Sequence, residues 1–190
     1  MKTRILTLVI FALITAAVVI FAPKREIPEQ LTTPAHEIPA DYDSANDFTF
    51  QDALNVKYSL SDFAGQPAVV LFWASWNGQS RISLRLFENS WLENGGDVVY
   101  LAVNLGKAGK DGLKKASKVY TDGGYTFPLY IDKTGVVKFN VTTAPQLYFF
   151  DALGRQVGHV DGAFTAAQLA DGVAAIAPDQ FNNLNEPKGD

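Results

Sequence analysis

The chain has no cysteine among its 190 residues. Thiol–disulfide exchange needs a thiolate to attack a sulfur and a second sulfur to resolve the mixed disulfide, so no dithiol couple can form within it. The same absence excludes a cysteine-based peroxidase and a lipidated N-terminal cysteine, and it removes disulfides as a guide to compartment. Histidine is scarce as well: His36 and His159 are isolated, with no His-x-x-x-His or comparable ligand spacing. No metal site is expected, since the oxygen-rich turn Asp132 to Gly135 also lacks the length and carboxylate density of a calcium loop. Basic excess is missing too. A net charge of -4 gives no field for nucleic acid. The Gly65 and Gly78 regions carry no Lys-Ser/Thr phosphate pattern, so no small-molecule cofactor is expected.

One long apolar run is present. Lys2 and Arg4 precede Ile5 to Ala22, 18 residues interrupted only by Thr7 and Thr15. As a helix this run spans about 27 Å, close to the roughly 30 Å of a bilayer core. It exceeds the ~7–15 apolar residues of a cleaved signal peptide, and the best cleavage site has bulky Ile20 before it and Pro23 after it. Residues 1–22 therefore read as an uncleaved single-pass anchor, with membrane contact through 5–22. Lys2 and Arg4 face Lys24 and Arg25 across the run, so charge alone leaves orientation nearly balanced. Pro23, Pro28, Pro34 and Pro39 make 23–45 an extended tether, 46–177 the folded domain, and 178–190 a polar tail.

Within the domain, Phe48-Thr49-Phe50 alternates as a short strand, and Tyr58-Ser59-Leu60 follows an Asn55 turn as its hairpin partner. Val69 to Phe72 reads as a buried central strand. The helix from Ser80 carries Ile82, Leu86, Phe87 and Trp91 on one face and stops at Asn94-Gly95-Gly96. Asp97 to Asn104 is a second strand, apolar almost throughout, as expected when both faces are covered. Lys110 to Thr121 is a more polar helix, Phe127 to Ile131 a short edge strand, and Asp132 to Gly135 a turn. Pro145 opens an aromatic strand that forms a hairpin with Arg155 to Val160, and Ala163 to Ala177 is the last helix. The order predicts an α/β fold with a mixed sheet between helices.

The stretch from Val69 to Arg81, Val-Val-Leu-Phe-Trp-Ala-Ser-Trp-Asn-Gly-Gln-Ser-Arg, is a strand, a tight loop and a helix start. It resembles the active-site segment of the thioredoxin superfamily, which in membrane-anchored envelope members reads Phe-Trp-Ala-Thr-Trp-Cys-x-x-Cys-Arg. Supporting residues are Asp47-Phe48-Thr49, Leu60-Ser61-Asp62-Phe63-x-Gly65-x-Pro67, and Val141-x-x-x-Pro145 with Asp151-x-x-Gly154 after it. Over about residues 45 to 177 the chain is similar to thioredoxin-like thiol-disulfide oxidoreductases of the TlpA/ResA type, which serve in cytochrome c maturation and other envelope thiol reduction. The resemblance implies a thioredoxin-like fold, an N-terminus inside with the domain extracytoplasmic, on the periplasmic side of the cell membrane, and a cis proline at Pro145. It also places Asn77 and Ser80 at the two cysteine positions. Ser83 stands where a Glu is usual, Arg85 where a Pro is usual, and Ala144 where Thr or Val is common.

Asn and Ser are good helix caps, so capping is the plain reading of Asn77 and Ser80. A nucleophilic Ser80 would need a base within hydrogen-bond reach, and neither histidine is an obvious one. Trp73 is expected to pack beneath the loop, and Trp76, by the resemblance, to lie exposed beside Pro145. The expectation is a redox-inactive binding or assembly module whose contact surface is Trp76, Asn77, Gly78, Gln79, Ala144 and Pro145, facing an extended partner segment. Two alternatives are an oxidoreductase-like protein that works with another protein's thiols and a structural subunit of an envelope complex that uses the helix from Lys110.

Overall fold

The computed structural model describes residues 38–106 and 112–177. The predicted anchor and tail, and the start of the helix expected from Lys110, lie outside the described residues. Seven strands form one mixed sheet there: β1 (Thr49–Gln51), β2 (Lys57–Ser59), β3 (Ala68–Trp73), β4 (Val99–Asn104), β5 (Leu129–Asp132), β6 (Gln146–Phe150) and β7 (Gln156–Asp161). Their spatial order is β2-β1-β5-β4-β3-β6-β7. The centre, β5-β4-β3, is parallel, while β1 joins β5 and β6 joins β3 antiparallel. The helices are α1 (Gly78–Asn94), α2 (Leu113–Gly123), α3 (Gly135–Lys138) and α4 (Ala166–Ile176).

The apolar runs become central strands because both faces are covered. Along β3, Val69, Leu71 and Trp73 enter a core shared with Leu84, Phe87 and Trp91 of α1, Ala116 of α2, and Leu169 and Val173 of α4. The alternate residues Ala68, Val70 and Phe72 enter a second core with Phe48, Phe50, Leu60 and Phe63. This is the period-2 alternation of a strand, with apolar demand on each side. Burying one such side chain contributes roughly 1.5–3 kcal/mol, so this strand fixes the sheet's centre. Edge strand β7 is mostly exposed and polar, which suits an unpaired edge.

Three placements differ from the sequence expectation. The strand β5 is interior, because the β1–β2 hairpin adds outside it through Phe50 paired with Asp132. Ile82 is exposed on α1, whereas Phe87 and Trp91 are buried and Leu86 partly so, as expected, and Ser80, Ser83, Leu84 and Glu88 join the buried face. That face keeps helical spacing but accepts polar residues that find partners, Ser80 accepting from Ala74 N–H and Glu88 accepting from Thr126 N–H and Oγ1. The end of the expected tether is also part of the fold. Asp43 N–H donates to the Leu153 carbonyl at 2.7 Å. The ring of Tyr42 covers Gly154, which has φ 74° and where an added Cβ would lie 2.5 Å from that ring.

Candidate functional site

The site is the junction of β3, α1 and the segment entering β6. Antiparallel pairing of Phe72 with Gln146 carries Pro145 and Ala144 alongside the loop that leaves Trp73. The Ala144–Pro145 peptide bond is cis. Asn77 is the N-cap of α1, and its Oδ1 accepts from Ser80 N–H at 3.1 Å. From the same side chain, Nδ2 donates to the Ala144 carbonyl at 2.7 Å. One amide therefore satisfies an orphan helix donor and ties the loop to the segment across the groove.

Ser80 sits in the first turn of α1, fully buried, and its Oγ accepts from Ala74 N–H at 3.2 Å. The hydroxyl thus serves the end of β3 rather than the helix start. It is not presented to a substrate, and His159 stacks on Tyr148 and faces Asp161 at 3.6 Å. Nothing in this arrangement activates a serine. Beneath the loop Trp73 is fully buried, as expected, while Trp76 is 53% exposed.

Of the remaining expected contact residues, Gly78 and Gln79 are exposed, Asn77 and Ala144 are half-buried, and Pro145 is buried. The Pro145 carbonyl accepts from Gly162 N–H at 2.9 Å. Both carbonyls flanking the cis bond are consequently occupied within the chain. Asn77 reaches this segment from the loop side, through Ala144, and Gly162 from beyond β7, through Pro145. Trp76 lines a cleft between α1 and α2 together with Arg81, Arg85 and Tyr125. Burial holds the Tyr125 hydroxyl above its ordinary pKa, with Arg85 and Arg81 pulling the other way. Sequence reasoning gave these arginines no binding role, although their i, i+4 spacing put them on one helix face.

Among the described residues no group of three or more His, Asp or Glu side chains is placed to hold a metal ion. None of their helices is long and apolar enough to cross a membrane.

A family model described as the AhpC/TSA family matches residues 42–155, more than half of the chain. The chain belongs to the AhpC/TSA family. It is similar to the thiol-disulfide oxidoreductase ResA of Bacillus subtilis (strain 168), 25% identical over 181 residues that cover 93% of this chain and 92% of that protein. The ResA of Geobacillus kaustophilus (strain HTA426) is 25% identical over 138 residues, covering 71% of this chain and 77% of the relative. Among solved structures, a thiol:disulfide interchange protein DsbE from Chlorobium tepidum, described as putative, superposes with a TM-score of 0.62 at 23% identity. It covers 74% of this chain and 99% of that one. The chain thus has a thioredoxin-like fold of the thiol-disulfide oxidoreductase kind, with no sulfur for that chemistry.

Proposed function

We propose that this AhpC/TSA member is a redox-inactive, membrane-anchored, extracytoplasmic domain that binds a protein segment at its former active-site loop. The observation that carries this reading is the Asn77 side chain. At the position where the resemblance puts the attacking cysteine, an amide joins the start of α1 to the Ala144 carbonyl. A loop used for exchange must let a substrate approach both the nucleophile and the strand edge, whereas here one side chain occupies both. What remains presented is Trp76, Gly78 and Gln79. An exposed indole on a fixed loop is the kind of rigid apolar anchor that dominates protein recognition. Partner pairing with the Ala144 backbone, as in strand addition, requires Asn77 to release that carbonyl. The membrane part of the reading rests on the run from Ile5 to Ala22.

Recovery of a partner from membranes with the full-length protein tests this reading. A specific protein recovered by wild type and lost with a folded Trp76→Ala variant supports it, and undiminished recovery with that variant overturns it. The relatives' names favour a second reading, in which the domain assists exchange between another protein's thiols. Reduction of insulin disulfides by dithiothreitol, accelerated by added pure protein, would favour that alternative.

A further inference from the structure

Between the first two turns of α1 and the length of α2 lies an open cleft of about 480 Å³, lined in part by Trp76, Arg81, Arg85, Lys115, Lys118 and Tyr125. Among the described residues of the lining four side chains are cationic, and Asp122, the one carboxylate there, pairs with Lys118 at 2.8 Å. Neither Arg81 nor Arg85 is held by a carboxylate among the described residues. Arg81 Nη2 donates to the Ser75 carbonyl at 3.3 Å, and the Arg85 guanidinium lies against the Tyr125 hydroxyl. Two arginines at i, i+4 repel each other, and these neutral partners leave both charges without a counter-charge among the described residues. The positive charge is local, since the chain as a whole carries -4.

The cleft opens beside the exposed indole of Trp76, so a segment docked on the loop can run on into it. Guanidinium forks match carboxylates in a bidentate manner, and Trp76 and Val119 supply apolar surface between the charges. We propose that this cleft binds an acidic, extended segment of the partner protein, with its carboxylates on Arg81 and Arg85 and an apolar side chain against Trp76. This rests on the partner-binding reading above and specifies the partner's chemistry.

The experiment uses the full-length protein and two fluorescein-labelled hexapeptides, one alternating Glu and Leu, the other Lys and Leu. Anisotropy titration is expected to show binding of the acidic peptide alone. The affinity should fall roughly tenfold in the Arg81→Gln/Arg85→Gln variant, and again as salt rises from about 50 to about 300 mM. Trp73 and Trp91 are fully buried, so aqueous quenchers report on Trp76. Iodide should quench it more strongly than caesium, the reverse of what the net charge dictates, and the double variant should remove that preference. Equal binding of both peptides, or an acidic-peptide affinity indifferent to the two arginines, overturns the proposal. So does native-partner recovery that is unchanged in the double variant but lost with Trp76→Ala, a result that leaves the loop reading intact.

Discussion

Asn77 makes two hydrogen bonds with one amide, and substitutions can remove them in steps. Loss of an N-cap costs about 0.5–2 kcal/mol. Loss of a partly buried amide-to-carbonyl bond costs about 0.5–1.5 kcal/mol. Asn77→Ala loses both, so the expected destabilisation is about 2 kcal/mol, within a range of roughly 1–3.5. For a folded unit of this size that is a fall in Tm of roughly 6–10 °C. Asn77→Ser keeps an acceptor for Ser80 N–H but is too short to reach Ala144, and should lose about 1 kcal/mol. Urea and thermal unfolding of the full-length protein, followed by far-UV circular dichroism, should rank wild type above Asn77→Ser and that above Asn77→Ala. An Asn77→Ala variant within about 0.5 kcal/mol of wild type, or an Asn77→Ser variant no better than Asn77→Ala, would refute the double tie.

The retained geometry of the loop can be tested by Asn77→Cys with Ser80→Cys. The pair spans the N-cap and the first turn of α1, so the double variant should form a reducible intramolecular disulfide, seen as a thiol count that rises on reduction. A folded double variant that never oxidises would mean that the loop departs from the family's arrangement. Gly154→Ala forces an L-residue to φ 74° and drives a methyl into the Tyr42 ring. It should cost about 2 kcal/mol or more, measured by urea unfolding, since the left-handed conformation alone costs roughly 1–2. Burial raises the pKa of Asp132 above its ordinary 3.8, against the opposing hydrogen bonds from Val136 and Gly135. The folded state therefore holds this proton more tightly than the unfolded chain, and the resulting stability is present below 3.8 and lost as pH rises through the raised value. Relative to Asp132→Asn, wild type should gain stability on acidification through that window. A difference that is flat with pH would contradict the assignment.

The central sheet was legible because Val69 to Phe72 and Val99 to Val103 are apolar on both strand faces, which leaves few alternatives to a covered strand. The place of β5 was not. A short strand carries no mark of which neighbour it takes, and only the long-range pairing of Phe50 with Asp132 made it interior. Asn77 shows the same limit within one side chain. Its capping bond joins residues three apart and follows from residue type, whereas its bond to Ala144 spans 67 positions and exists only once β6 lies beside β3. The cleft was hidden for a related reason. Arg81 and Arg85 belong to α1 and Lys115 and Lys118 to α2, and the fold alone brings the two sets together.

Photo-crosslinking in membranes from Gln79, exposed in the first turn of α1 just past the Trp76 loop, bears most directly on the claim that this loop is a binding surface. The account predicts a discrete adduct with one protein, lost in a folded Trp76→Ala variant. Capture of that protein from the exposed face of α4 instead, with none from Gln79, would contradict it and make the loop a relic on a structural subunit.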